Sequence, residues 1–413
     1  MATEATQPRT RLPRQLPAPL AWLRDNLFNT WYNALISLVL LYVLVQGTIS
    51  FATWAINAPG WVAVLQNVRL LAVGIYPAEL IWRVELVVWL TALLLGLSAG
   101  TWKGIARGLA IASGIMLLLL ALFSLLLPPT AELDTMSSLL FTLGTVALLA
   151  LGYAGGGMIG ERLRWPLVAA WVLLYPFTIL MIRGIGGAEG PWQVVQTSAW
   201  GGLMLTLLLA ITAIVASFPI GVLLALGRRS DLPIVKIFCI GYIELIRGVP
   251  LITVLFMAQV MLPLFLPAGW RVDALLRAMV AMTLFSAAYV AENVRGGLQS
   301  LPRGQTEAAR ALGLNVVQTT MLITLPQALR AVIPVLVGQF IGLFKDTSLV
   351  TIVGLLELLG MARTIISQPD WLQVSGGVWR ETFLVVALIY FVFSFAMSRT
   401  SLAIERRTNA GKD

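Results

Sequence analysis

The chain contains no histidine, one cysteine, and only 11% charged residues over its 413 positions. Without histidine there is no imidazole metal ligand and no histidine general base. With Cys239 alone there is no intrachain disulfide, and a lone thiol of this kind reads as a small packed side chain. No G-x-x-x-x-G-K-[ST] stretch occurs, so the chain offers no phosphate loop for a nucleotide. The opening MATEATQPRTRLPRQLPAPLAWLRDN is rich in proline and arginine. It lacks the apolar stretch of a cleavable signal peptide and reads as a cytoplasmic tail over residues 1–28. A soluble domain carries about 25% charged residues, so the scarcity of charge itself excludes an ordinary soluble protein.

What fills the chain is apolar: 59% of residues are hydrophobic, and the mean hydropathy is +0.88. Charge-free runs of about 18 residues or more are long enough to cross the hydrocarbon as helices. The runs do not alternate as barrel strands would, so the fold class is an all-α polytopic membrane protein. The runs predict about ten transmembrane helices: 31–54, 86–102, 108–131, 135–160, 165–182, 201–226, 249–266, 276–294, a ninth from Pro326 or Ala331 to Thr347, and 383–398. With residues 1–28 inside, 20 of the 28 Lys and Arg fall on the cytoplasmic side. That asymmetry places both termini in the cytoplasm of an inner-membrane protein. The formal charge of +9 is then a topology signal, with no need of nucleic acid. Trp31, Trp54, Trp102, Trp165 and Trp200 sit near span ends, as interfacial anchors do. A glycine-rich break, RGIGGAEGPW from Arg183, divides the chain. Residues 29–190 form an accessory region of about five helices, residues 191–402 a second set of five, and residues 403–413 a cytoplasmic tail.

The segment EAARALGLNVVQTTMLITLP, Glu307 to Pro326, is neither apolar nor loop-like. Glu307 to Leu312 suits a short helix started by Gly304, Gln305 and Thr306. Gly313 fits the left-handed residue that ends it. A second short helix is expected from Asn315 to Thr324, with Pro326 in the first turn of the next span. The segment is predicted to be an ordered helix–turn–helix on the cytoplasmic side.

The pattern Glu307-Ala308-Ala309, Gly313, Ile323 and Leu325-Pro326 resembles the coupling loop of permease subunits of binding-protein-dependent ABC importers. YIELIRGVPLI (242–252), AAYVAENVRGGLQSLP (287–302) and LFKDTSLVTIVGL (343–355) resemble the polar-amino-acid permeases. LRDNLFNTWYNALISLVLLY (23–42) and IYPAELIWR (75–83) are similar to the long permease subunit of general L-amino-acid importers. The resemblance implies a type I ABC importer permease core over 191–402. It implies that this chain is not an enzyme and carries no cofactor, ATP and Mg being bound by a separate ATPase dimer that docks on the loop. It also implies a shorter companion permease, a periplasmic amino-acid-binding protein and L-amino acids as the cargo, with the lipid bilayer around the chain.

Charged groups near or within spans each need a reason, because a charge at mid-membrane costs about 2.5–3.5 kcal/mol on insertion scales. Glu292 has Arg295 at i+3 and reads either as a structural pair or as a gate or substrate-amine contact. Lys345 and Asp346 are adjacent and point about 100° apart. They read either as interhelix pairs or as pathway residues, with Thr347 and Ser348 as further hydrogen-bonding groups. Glu244 and Arg247 are expected to pair at i, i+3, and Gly248 and Pro250 to bend the chain. For Glu357, docking and gating stand equally open. An ion-coupled secondary transporter using Glu292 or Asp346 is the rival reading. Loss of uptake on ATP depletion, with ion gradients held, separates the two. A membrane-embedded enzyme has no nucleophile motif or metal-spaced carboxylates behind it.

Overall fold

In hydrocarbon, backbone N–H and C=O groups have no water to bond, so an apolar run satisfies them internally as a helix. The computed structural model describes residues 18–126, 135–187, 189–267 and 269–409. The expected tails fall partly outside this range, at 1–17 and 410–413. The chain forms two compact units, residues 1–59 and 60–413.

The first unit holds α1 (Ala18–Leu27), which occupies part of the expected tail, and α2 (Trp31–Asn57). Thr30 caps α2 by accepting from the Asn33 amide at 3.4 Å, and Ser37 donates to the Leu27 carbonyl at 3.0 Å. Helix α2 is apolar along its length, as suits a helix with lipid around it.

The second unit begins with two short helices, α3 (Trp61–Gln66) and α4 (Val68–Val73), followed by α5 (Ile81–Trp102), α6 (Ile105–Leu126), α7 (Thr135–Ile159) and α8 (Arg164–Arg183). Glycine decides how α5 meets α7. A Cβ on Gly96 would lie 2.2 Å from the Leu149 carbonyl oxygen, and one on Gly152 would lie 2.4 Å from that of Leu93. Only bare backbone permits such an approach. These contacts, with Gly156 meeting Leu97, advance in the same sense along both helices, so α5 and α7 run parallel. The Trp171 indole donates to Ser98 at 2.9 Å and the Tyr76 hydroxyl to the Ile182 carbonyl at 2.8 Å, so α8 runs the other way.

Among the described residues eight helical segments are long and apolar enough to span, or nine with one bent pair. The longest, Met136–Arg183, is therefore a hairpin of α7 and α8. It folds back at the 3-10 turn Gly160–Leu163, where Gly160 has φ +65°. Divided there, the tally reaches the ten expected from hydropathy.

The rest of the unit comprises α9 (Gly202–Arg228), α10 (Pro233–Arg247), α11 (Leu251–Phe256), α12 (Leu262–Phe265), α13 (Ala274–Gln299), α14 (Arg303–Ala311), α15 (Val316–Gln318), α16 (Leu325–Asp346), α17 (Leu358–Ile366), α18 (Pro369–Leu372) and α19 (Trp379–Asn409). The seventh crossing is not the single helix expected over 249–266. It is an elbow of 106° between α10 and the segment Leu251–Phe265. The bend falls at Gly248 and Pro250, where it was expected. Met257–Met261 within the second arm is π-helical. Helix α13 is the most enclosed span, with 61% of its window buried; Met282, Val290 and Val294 supply core to two successive apolar clusters. A third cluster joins Val64 and Leu71 to Leu358, Ile365 and Val386. Helix α16 continues as 3-10 turns from Thr347 to Val353, and Gly354 ends them in the left-handed region. Helix α19 runs to Asn409, past the expected start of the C-terminal tail.

Candidate functional site

The segment around Glu307 folds as an ordered projection. Pro302 caps α14, which has no use for the amide that proline lacks. Gly313 takes φ +80°, and the chain closes behind it through Leu314 N–H to Ala309 O at 3.1 Å. Asn315 and Gln318 then form a reciprocal capping box. One expectation is corrected here: the second helix is not separate from the next span. Val316–Val353 is one continuous helical element, because Thr319–Thr324 winds as a π-helix ahead of Pro326. Proline gives no N–H to the carbonyl one turn back and crowds it, and the wider winding absorbs both defects.

Ala309 is buried and anchors α14, whereas Glu307, Ala308, Gly313 and Pro326 are exposed, Ile323 half-buried and Leu325 buried. Leu312, Val316, Val317 and Met321 are exposed, so the projection presents an uncovered apolar surface. Gln327 bridges to Gln305 at 3.3 Å and fixes α14 against the foot of α16.

Just before the projection, Glu292 receives Arg295 through two bonds of 2.9 Å and 2.5 Å. It also lies 3.5 Å from Arg228 and 3.6 Å from Arg247. The expected Glu244–Arg247 pair does not form. Glu244 pairs with Arg228 at 3.0 Å, while Arg247, the last residue of α10, lies over the Tyr289 ring at 5.7 Å. Helix packing brings α9 and α13 against α10, so tertiary partners displace the local one. A nearby amide pair, Asn293 to Gln339 at 2.6 Å, ties α13 to α16.

Lys345 is exposed and Asp346 half-buried, and neither side chain has an ion pair or hydrogen bond among the described residues. Among the described residues no interhelix pair to either of them is present. Thr347 is buried and donates to the Phe344 carbonyl at 2.6 Å, with the Tyr390 hydroxyl at 3.4 Å. Ser348 is half-buried.

Glu357 is 0% exposed, which removes a docking role. Its carboxylate caps α17 by accepting from the Leu359 and Gly360 amides, both at 2.9 Å. It also accepts from the hydroxyls of Thr351 at 2.6 Å and Tyr390 at 2.9 Å. The neighbouring Thr206 hydroxyl lies 3.4 Å away on α9, and the Gly202 and Glu357 backbones form an isolated parallel bridge. Sequence pointed to none of Thr206, Thr351, Tyr390 or Arg228 as partners: Thr351 meets Glu357 across the turn at Gly354, and the other contacts depend on helices meeting in space.

The sequence matches the family described as "Binding-protein-dependent transport system inner membrane component" over residues 217–410. It is 37% identical over 410 residues to an inner membrane amino-acid ABC transporter permease protein of Escherichia coli (strain K12), covering 95% of this chain and 94% of that one. It is 37% identical over 442 residues to the glutamate/glutamine/aspartate/asparagine transport system permease protein of Rhodobacter capsulatus, covering 97% of each. A solved chain titled as an amino acid ABC transporter with histidines shares 32% identity, with a TM-score of 0.44 over 50% of this chain and 92% of that chain.

Proposed function

Because the chain belongs to the family of binding-protein-dependent transport system inner membrane components, among the amino-acid ABC transporter permeases, we propose that it is the membrane-spanning subunit of an ATP-driven importer of L-amino acids, coupled to a separate ATPase through Glu307–Pro326. The observation that carries this reading is the projection: a capped helix–turn–helix, fixed to α16, with apolar side chains facing outward. Exposed apolar groups on a rigid mount fit a protein partner.

In this reading ATP and Mg are bound by the partner dimer, and this chain transmits movement. Closure of the ATPase dimer pushes on α14, and the continuous element from Val316 carries the push into the membrane. Lys345 and Asp346, with Thr347 and Ser348, are the substrate-pathway candidates. Both ends of a zwitterionic amino acid need an opposite charge, and neither of these two charges has an ion pair or hydrogen bond within bonding distance among the described residues. A periplasmic amino-acid-binding protein delivers substrate, and a second, shorter permease completes the transmembrane dimer. Residues 191–402 form the type I core and residues 29–190 the accessory region, with both termini in the cytoplasm of the bacterial inner membrane.

The test is co-purification of the chain with its ATPase, wild type against Glu307→Arg with Gly313→Leu. The expected result is a membrane-inserted mutant that no longer retains the ATPase. Unchanged co-purification with unchanged ATP-dependent uptake would reduce the projection to a connector and favour an ion-coupled carrier.

A further inference from the structure

Helix α10 is held to the rest of the molecule by little apolar packing. Of its 15 residues only Cys239 and Ile243 are buried. Ile234, Ile237, Phe238 and Leu245 are exposed. Its polar attachments are correspondingly important: the Tyr242 hydroxyl donates to the Leu284 carbonyl of α13 at 2.7 Å, Glu244 pairs with Arg228 of α9 at 3.0 Å, and Arg247 reaches Glu292 of α13 at 3.6 Å. Glu292 answers the last residue of α9, Arg228, the last residue of α10, Arg247, and Arg295 one turn further along α13. The only other carboxylate paired within this group, Glu244, is engaged by Arg228. Among the described residues Arg247 has no second acid, and its Nε is buried without a partner. Three guanidiniums thus share two carboxylates, and Glu292 ties the last residues of two helices, α9 and α10, to α13. Helix α13 then leads through Pro302 directly into α14.

We propose that Glu292 is a positioning residue that locks the elbow of α10 and α11 to α13, so that displacement of the projection moves the elbow with it. The inference rests on the importer reading and concerns how that importer is coupled. Partly exposed ion pairs suit this task. Each contributes modestly, and a carboxylate shared among several guanidiniums can exchange partners as helices shift. An apolar contact of equal size would have to be unpacked.

The molecule contains its own reporter. Cys239 is the chain's one cysteine. It lies on α10 at 6% exposure, facing α9 so closely that a Cβ on Gly227 would stand 2.5 Å from its Sγ. Its rate of alkylation therefore reads separation of α10 from α9. The experiment uses the assembled transporter in liposomes, with wild type, Glu292→Gln, Glu292→Asp and Arg247→Gln. It measures substrate-stimulated ATP hydrolysis, uptake per ATP, and labelling of Cys239 by N-ethylmaleimide, read on this chain by mass spectrometry with and without ATP.

For Glu292→Gln the expected result is an intact complex whose substrate stimulation falls about fivefold or more, the low end of coupling between distant sites. Cys239 labels faster than in wild type and no longer responds to ATP. Glu292→Asp recovers most of both signals. Full stimulation together with ATP-responsive labelling in Glu292→Gln overturns the proposal. If Glu292→Gln does not assemble, Arg247→Gln decides, since it keeps the carboxylate and two arginines. Weakened stimulation there supports the lock, and wild-type coupling reduces the cluster to scaffold. Wild-type complex that neither hydrolyses ATP nor takes up amino acids would refute the importer reading itself, a distinguishable failure.

Discussion

Two glutamates stand toward opposite ends of α9 and are stabilised in opposite ways. Near its start, Glu357 is enclosed and accepts only from hydroxyls and amides, with no cation paired to it among the described residues. At its far end, Glu292 is 22% exposed and gathers three arginines. From Thr206 to Arg228 the separation is about 33 Å at 1.5 Å per residue. Short, directional bonds from fixed donors permit one arrangement only, so the Glu357 end is built as a joint that does not move. Charges in contact with water tolerate changes of distance and partner, so the Glu292 end is built as one that can.

The contrast is broken most severely at Glu357. Replacement by Ala strands two hydroxyls and two amide N–H groups in the interior, at a cost of about 3–5 kcal/mol. The chain is expected to lose most of its thermal stability in detergent and to accumulate poorly in membranes. Glu357→Gln keeps an acceptor but turns an NH₂ toward donors, and should cost about 1–3 kcal/mol in the same assay. Arg228→Ala, at the other end, should cost only about 1 kcal/mol after allowance for solvent. Its larger consequence is expected in coupling, read as lost substrate stimulation of ATP hydrolysis. A thermal shift for Arg228→Ala as large as that for Glu357→Ala would erase the distinction between the two ends. The smallest effect belongs to Gly313→Ala. No atom lies within 4 Å of the new Cβ, so only the left-handed backbone is penalised, by about 1 kcal/mol. That should weaken ATPase retention while leaving overall stability almost unchanged.

Much of this was legible in sequence because hydrocarbon imposes a local rule: apolar runs become helices, and Gly313 and Gly248 mark where they end or turn. The elbow's first arm was hidden because Lys236, Glu244 and Arg247 interrupt the apolar run of α10. The continuity of α16 was hidden because a proline ordinarily opens a helix, and the π-winding that accommodates Pro326 has no single-residue signature. Local spacing misdirected Glu244 toward Arg247, three positions away, when its partner Arg228 lies 16 positions earlier on another helix. Glu357 was undecided because Tyr390 and Thr206 stand 33 and 151 positions away. Sequence periodicity located the projection and most of the spans, but it could not pair charges across helices.

The π-helical stretch Thr319–Thr324 also sets a phase. Each residue of an α-helix advances it by about 100°, and wider winding advances it by less. Over six residues the wider winding turns the chain about as far as five residues of α-helix would. The stretch therefore takes up one residue without turning Leu312 and Val316 about the axis of α16. Deletion of one of its residues, with return to α-helical winding, should leave the projection facing as it does, whereas a deletion in the α-helical part of α16 would turn it by about 100°.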